Sequence, residues 1–268
     1  SLQKALTDPY GPYTEIGIRD GDEYRQLCDT LLQIENEFYG LIRPKRPIKP
    51  GERPLHALND RGVEYVEVRC LDLDPFSPVG LSEQTSRFID VFLLYCMLTD
   101  SPNDTDESIA QNNANQLAVA ERGRAPGLTL HHPDGKPALL VDMGQHLVEA
   151  MRPIAMALDS ANATGDYSSA LEHGQACLQD ATLTPSARIL SSMARDWGNS
   201  YSKFALNQSE QHRKYHLSHA PSEQQLAEHR ATVEQSWQDQ QSIEAADEID
   251  FETYRQQYIS QAFTVASS

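Results

Sequence analysis

The chain has 268 residues, 39% of them hydrophobic, and a net charge of −17. That length allows a substantial core in one large domain or two small ones. An acidic balance with a pI near 4.8 speaks against a nucleic-acid partner or an anionic membrane, since both need a basic face. No apolar run suffices to span a bilayer. The longest candidate, "FIDVFLLYCML", is short and carries Asp90, so it reads as a buried helix. Cys28, Cys70, Cys96 and Cys177 stand far apart with no CxxC pair, a pattern of reduced thiols that fits a cytoplasmic protein.

The first segment, "SLQKALTDPY", begins on Ser rather than Met and enters mid-pattern on a helix-like stretch, as a piece with preceding elements elsewhere would. Strands are expected at Glu15 to Arg19 and Leu32 to Tyr39, with Asp20-Gly21 as turn chemistry after the first. The prolines of "LIRPKRPIKPGERP" predict an irregular loop, and a third strand is expected at Glu64 to Leu73. After Pro78 the apolar period changes to 3.6 residues. "SEQTSRFIDVFLLYCMLTD" opens with Ser82 as N-cap and carries an apolar stripe. "DESIAQNNANQLAVAERGR" is a second helix, with Gly123 as its stop. "GLTLHHPDGKP" reads as a connector. Further helices are expected near Leu140–Ala161, Ser168–Gln179, Thr184–Trp197 and Tyr201–Leu217. The third of these starts with Thr184 as cap and Pro185 at the first helical position. From about Ser222 a Gln-rich region predicts one or two polar, solvated helices. The fold class is α+β, with a soft boundary near Leu128 between a strand-bearing part, 1–128, and a helical part, 129–268.

Within "GVEYVEVRCLDLDPFSPVG", alternation sends Val66, Val68 and Cys70 to one face, expected to be core, and Tyr65, Glu67 and Arg69 to the other. Residues two apart on a strand project about 7 Å from one another, so no snug ion pair is expected between Glu67 and Arg69. The pattern fits a third party lying over both: a carboxylate can hold a divalent cation and a guanidinium can grip phosphoryl oxygens. A solvated or cross-strand-paired face is the alternative, and the pattern alone favours it. Tyr39 in "LLQIENEFY" either lines a cleft or packs at a rim. Arg43, Lys45 and Arg46 form a basic knot that either attracts phosphate or is simply solvated.

The motifs "LQIENEFYGLIRPKR", "GVEYVEVRCLDLDPFSPVG", "GRAPGLTL" and "LTPSARIL", in this order and spacing, resemble the C-terminal half of bacterial glutamate–cysteine ligase of the proteobacterial type. The resemblance covers Ser1 to about Leu190. It implies part of a glutamine-synthetase-like antiparallel sheet followed by a mainly helical C-terminal layer. It also implies an activity: ATP phosphorylates the side-chain carboxylate of L-glutamate, and the amine of L-cysteine attacks, as the first step of glutathione synthesis. Carried over, Glu67 is a metal ligand for Mg²⁺ (Mn²⁺ as alternative), Arg69 contacts the transferring phosphoryl group, and Tyr39 belongs to the cysteine pocket. ATP is then a co-substrate, and most metal ligands belong to an N-terminal half outside this sequence. The chain alone is therefore expected to bind Mg-ATP weakly and to turn over nothing.

Other constellations carry less. His212, His216 and His219 share one helical face without a supporting shell, and His131, His132 and Asp134 sit in a turn. Asp72 and Asp74 before "PFSP" read as turn chemistry. Cys70 is assigned to packing, and Arg124 and Arg188 to capping or inter-helix ion pairs. Two competing functions remain at this point: a non-catalytic helical interaction module, and a related carboxylate–amine ligase with another amine substrate.

Overall fold

The computed structural model describes residues 2–261. Short helices α1 (Leu2–Thr7) and α2 (Gly11–Ile16) open the chain, followed by the small antiparallel ladder of β1 (Arg19–Asp20) and β2 (Glu23–Tyr24). Next come a 3₁₀ turn at Glu35–Glu37, β3 (Ile42–Lys45), α3 (Pro54–Arg61) and β4 (Tyr65–Val68). The long helices α4 (Glu83–Leu98) and α5 (Asp106–Arg122) precede the hairpin β5 (Thr129–His131) and β6 (Pro137–Leu139). Then follow α6 (Leu140–Asn162), α7 (Asp166–Gln179), α8 (Pro185–Asp196), α9 (Tyr201–Ser218), α10 (Glu223–Ala245) and α11 (Phe251–Ile259). The architecture is α+β, as expected, with helices dominating.

Two compact units divide the chain: Ser1–Asp72 together with Pro221–Ser268, and Leu73–Ala220. The boundary expected near Leu128 falls inside the second of these units, just ahead of the strands β5 and β6. Compaction follows a different line, because α11 returns to the first segment: Arg255 donates to the Leu27 carbonyl at 2.6 Å and Gln261 to that of Gly51 at 3.0 Å.

The second unit is built around three helices. Ser82 caps α4 as expected, its hydroxyl accepting from the Thr85 amide at 3.1 Å. The stripe Phe88, Val91, Phe92 and Tyr95 then meets Val148, Met151 and Ala155 of α6 and Leu171 of α7, the spacing that aligns side chains along one helix face. Val91, Met151, Ala155 and Leu171 are fully buried. Glycine lets these helices come close: a Cβ on Gly174 would stand 2.7 Å from the Phe88 ring. Buried Asp159 of α6 accepts from the Tyr167 and Ser168 amides and so closes the start of α7. The expected connector after Leu128 is instead the β5–β6 hairpin, its Asp134-Gly135 turn having φ +82° at the glycine.

The first unit departs from expectation in three places. Glu15 to Arg19 is not a strand, since α2 runs to Ile16 and only Arg19 enters a ladder. Leu32 to Tyr39 is not a strand either. Its polar residues bond locally: the Gln33 amide donates to the Glu37 carboxylate at 2.6 Å, and the Gln33 side chain accepts from the Leu27 amide at 2.5 Å. Such side-chain bonds to nearby backbone compete with a ladder. Conversely, part of the Pro-rich loop is the strand β3, paired antiparallel with β4. The Arg69 amide donates to Leu41 at 2.7 Å, which sets the hydrogen-bonded pairs at Leu41, Arg43 and Lys45. Pro44, opposite Val66, thus falls where the ladder needs no N–H from it.

The expected third strand is present, though shorter, at Tyr65–Val68. Its apolar face is not core here: Val66 is 46% exposed and Cys70 is exposed, because the ladder has two strands among the described residues.

Candidate functional site: a cationic strand face

Antiparallel pairing puts Arg43 directly opposite Glu67 and Lys45 opposite Tyr65, so Arg43, Lys45, Glu67 and Arg69 share one face of the ladder. Glu67 is the hub. One carboxylate oxygen accepts from Nε of Arg69 at 2.5 Å and the other pairs with Nζ of Lys45 at 3.2 Å. The expectation that Glu67 and Arg69 would not pair directly is thus corrected. The Arg side chain is long enough to fold back across the two-residue step. Hydrogen bonding by Arg69, with Lys45 adding to it, holds the Glu67 carboxyl below the usual carboxylate range.

Arg69 has a second partner. Its guanidinium carbon lies 5.4 Å from the centre of the Tyr39 ring, within the range of a cation–π contact. The three residues singled out from sequence therefore meet: Glu67 holds Nε of Arg69, and Tyr39 lies against the guanidinium. The terminal nitrogens of Arg69 make no hydrogen bond among the described residues. They are the part of the fork that a phosphoryl or carboxylate oxygen would meet. Tyr39 is 81% exposed and lines an open cavity of about 470 Å³ with Tyr13, Gln33, Asn36 and Glu37 among its walls.

Of the basic knot, Lys45 belongs to the site, Arg43 donates to the Glu35 carbonyl at 3.2 Å, and Arg46 pairs with Glu64 at 3.5 Å. Sequence reasoning missed Lys45 as the partner of Glu67. It also missed the buried pair behind the site. There Glu35 accepts from Arg53 Nε at 3.0 Å and Nη2 at 3.2 Å, with 3% and 2% of the two side chains exposed.

Elsewhere, Asp74 accepts from the Phe76 amide at 2.9 Å in turn geometry. His216 bonds the Pro78 carbonyl and His219 stacks on Tyr215, so two members of the His row, both exposed, have partners within the protein. Arg188 has no carboxylate partner among the described residues. Its guanidinium lies 4.2 Å from the centre of the Phe76 ring, where capping or an inter-helix ion pair was expected.

Magnesium is the metal that the sequence resemblance implies. Among the described residues no group of three or more His, Cys, Asp or Glu could hold a metal ion, and both oxygens of Glu67 already face cations. The residues present do not by themselves fit a resident metal. No helix of the described residues is long and apolar enough to cross a membrane.

The structure thus shows a cationic face on an antiparallel ladder, and sequence comparison supplies the family. Residues 1–119 match the family model described as glutamate-cysteine ligase. The chain is 41% identical to the glutamate–cysteine ligase of Pseudomonas savastanoi pv. phaseolicola over its whole length, and to 50% of that protein. Against the Pseudomonas putida enzyme it is 46% identical over 79% of the chain and 40% of the relative. Among solved structures, glutamate–cysteine ligase from Francisella tularensis in complex with AMP superposes with a TM-score of 0.86 at 35% identity. That match covers 96% of this chain and 51% of the other. The chain belongs to the glutamate–cysteine ligase family, and it spans about half the length of the curated relatives it matches.

Proposed function

We propose that the chain is the C-terminal half of an ATP-dependent, cytoplasmic ligase joining the side-chain carboxylate of L-glutamate to the amine of L-cysteine. In this reading residues 1–128 serve the catalytic side and residues 129–268 the helical layer. The observation that carries the proposal is the orientation of Arg69. Glu67 and Tyr39 fix it from two sides and leave its terminal N–H groups uncommitted, beside Lys45, in an otherwise acidic protein.

Phosphoryl transfer spreads negative charge over the equatorial oxygens, and catalysis is mostly positioning plus electrostatic stabilisation. A guanidinium already held in place stabilises that charge without reorganising when the reaction occurs. Tyr39 and its cavity form one wall for the attacking amine. Glu67 would serve Mg²⁺, or Mn²⁺ in its stead, only by exchanging its contact with Lys45 for the ion and with further ligands from outside these residues. The AMP complex of the Francisella tularensis relative supports a nucleotide as co-substrate.

The test is ADP release by the full-length gene product with glutamate and a panel of amines. Arg69→Ala is expected to lower the rate by on the order of 10²-fold, as loss of a preorganised charge stabiliser does, and Glu67→Gln to lower it as well. The 268-residue chain alone should release no ADP. Wild-type rates in both variants would overturn the assignment.

A further inference from the structure

Tyr39 is the most exposed residue of the site, so beyond the Arg69 guanidinium little packs around its ring to fix its place. Its position is set by the 3₁₀ turn before it, in which the Glu37 amide donates to Ile34 at 3.1 Å and the Phe38 amide to Glu35 at 3.2 Å. The longer-range contacts that anchor this turn converge on Glu35. The Glu35 carbonyl accepts from Arg43, the residue opposite Glu67 in the ladder. The Glu35 carboxylate is gripped by Arg53.

From the far end of the sequence α11 closes on the same pair. The Tyr258 hydroxyl donates to Glu35 Oε2 at 3.5 Å, and the Arg53 guanidinium lies 5.1 Å from the centre of the Tyr258 ring. Burial, with the neighbouring Glu35 charge, pushes the Tyr258 phenol up, which keeps it a donor. Arg255, held by Glu252 at 2.8 and 3.0 Å, spends its remaining arm on the Leu27 carbonyl. Beside these contacts lies a cavity of about 550 Å³ lined by Ile34, Asn36, Phe251, Tyr254 and Tyr258. Asn36 also lines the Tyr39 cavity, so α11 and the amine-side cavity are separated by one turn of backbone.

We propose that α11 braces the turn that presents Tyr39, with Tyr258 and Arg255 as positioning residues, the first acting through the Glu35–Arg53 pair and the second through the Leu27 carbonyl. This rests on the reading of Tyr39 as a wall of the amine site. The brace works because a buried, doubly hydrogen-bonded ion pair has few alternative geometries, and an aromatic ring laid over its cation removes those that remain. Neither residue touches a substrate. Their effect is to narrow the range of positions open to an otherwise unsupported tyrosine.

The experiment uses the full-length gene product, with hydrogen exchange and steady-state kinetics measured on the same variants. Tyr258→Ala is expected to speed exchange of the Glu37 and Phe38 amides by about tenfold while α4, α6 and α7 keep their protection, the signature of local opening. The KM for the amine should rise by about tenfold, with kcat and the KM for ATP within about twofold of wild type, because a binding wall is displaced while the Nε bond to Glu67 still holds Arg69. Tyr258→Phe, which keeps the ring over Arg53, should restore most of both effects. Arg255→Gln should move the same readouts in the same direction, and it decides the matter if Tyr258→Ala does not fold.

Unchanged exchange at Glu37 and Phe38 would overturn the brace, as would an equal loss of protection along the whole chain or an equal change in every kinetic constant. If Tyr39→Ala leaves the amine KM untouched while Tyr258→Ala still opens the turn, the reading of Tyr39 fails and the brace stands.

Discussion

Replacing Arg53 by Met should be the most damaging single change in the first unit. Glu35 and Arg53 expose 3% and 2% of their side chains, and two hydrogen bonds of 3.0 and 3.2 Å join them. Removing the cation leaves a carboxylate in a site that water barely reaches, and the ring of Tyr258 loses the charge it covers. Breaking a buried pair from one side costs about 3–5 kcal/mol, most of it the penalty on the abandoned partner. For a domain of this size that corresponds to a fall in Tm of roughly 10 °C. The double variant Arg53→Met with Glu35→Gln removes both charges and should recover most of the loss, since a buried pair replaced as a unit is often near neutral. Urea denaturation followed by circular dichroism, with hydrogen exchange of α3 and α11, measures both effects. A single variant that loses less than about 1 kcal/mol, the range of an exposed pair, would refute the reasoning, as would a double variant no more stable than the single.

Two further outcomes are expected. Glu252 is held at about 2, chiefly by its hydrogen bond to Arg255 and further by Gln256 and Arg19, below its ordinary value of 4.5; a depressed carboxyl stabilises the folded state above the unfolded value. That contribution is complete above about pH 5 and disappears as the pH falls toward 2. Hydrogen exchange of α11 should therefore quicken over this window relative to Glu252→Gln, and identical profiles would refute the assignment. Ser82→Ala removes the cap of α4 and should lower the stability of the second unit by about 1 kcal/mol, read in a urea titration, whereas Ser82→Asp should preserve it.

The helices were legible because each carried both a start signal and a stripe. Ser82 and the Phe88–Tyr95 row mark α4, and Thr184-Pro185 marks α8, although the Thr184 hydroxyl makes no capping bond. The first unit was harder for a physical reason. In "LLQIENEFY" the alternation belongs to residues that bond their own backbone, and in "IRPK" a proline hides a strand whose register happens not to need its N–H. Glu67, Arg69 and Tyr39 could be found from motif and spacing. Lys45 could not, because its partnership exists only once β3 pairs with β4. The Glu35–Arg53 pair spans 18 residues of sequence with no periodic signal connecting them.

The stability of the site follows from this division. A two-stranded ladder is marginal in water by itself, and this one exposes Ile42 and Val66 on its other face. Apolar burial therefore does not fix it. What fixes it is a polar frame of two kinds. The pairs Lys45–Glu67 and Arg46–Glu64 are partly exposed and screened by salt, so they orient charge more than they supply stability. The Glu35–Arg53 pair is shielded from solvent and is therefore screened far less by salt. The residues that would meet a phosphoryl group stand on the first kind of support, where the fork of Arg69 stays free to accept it. The segment that would shape the amine pocket stands on the second, where displacement is costly.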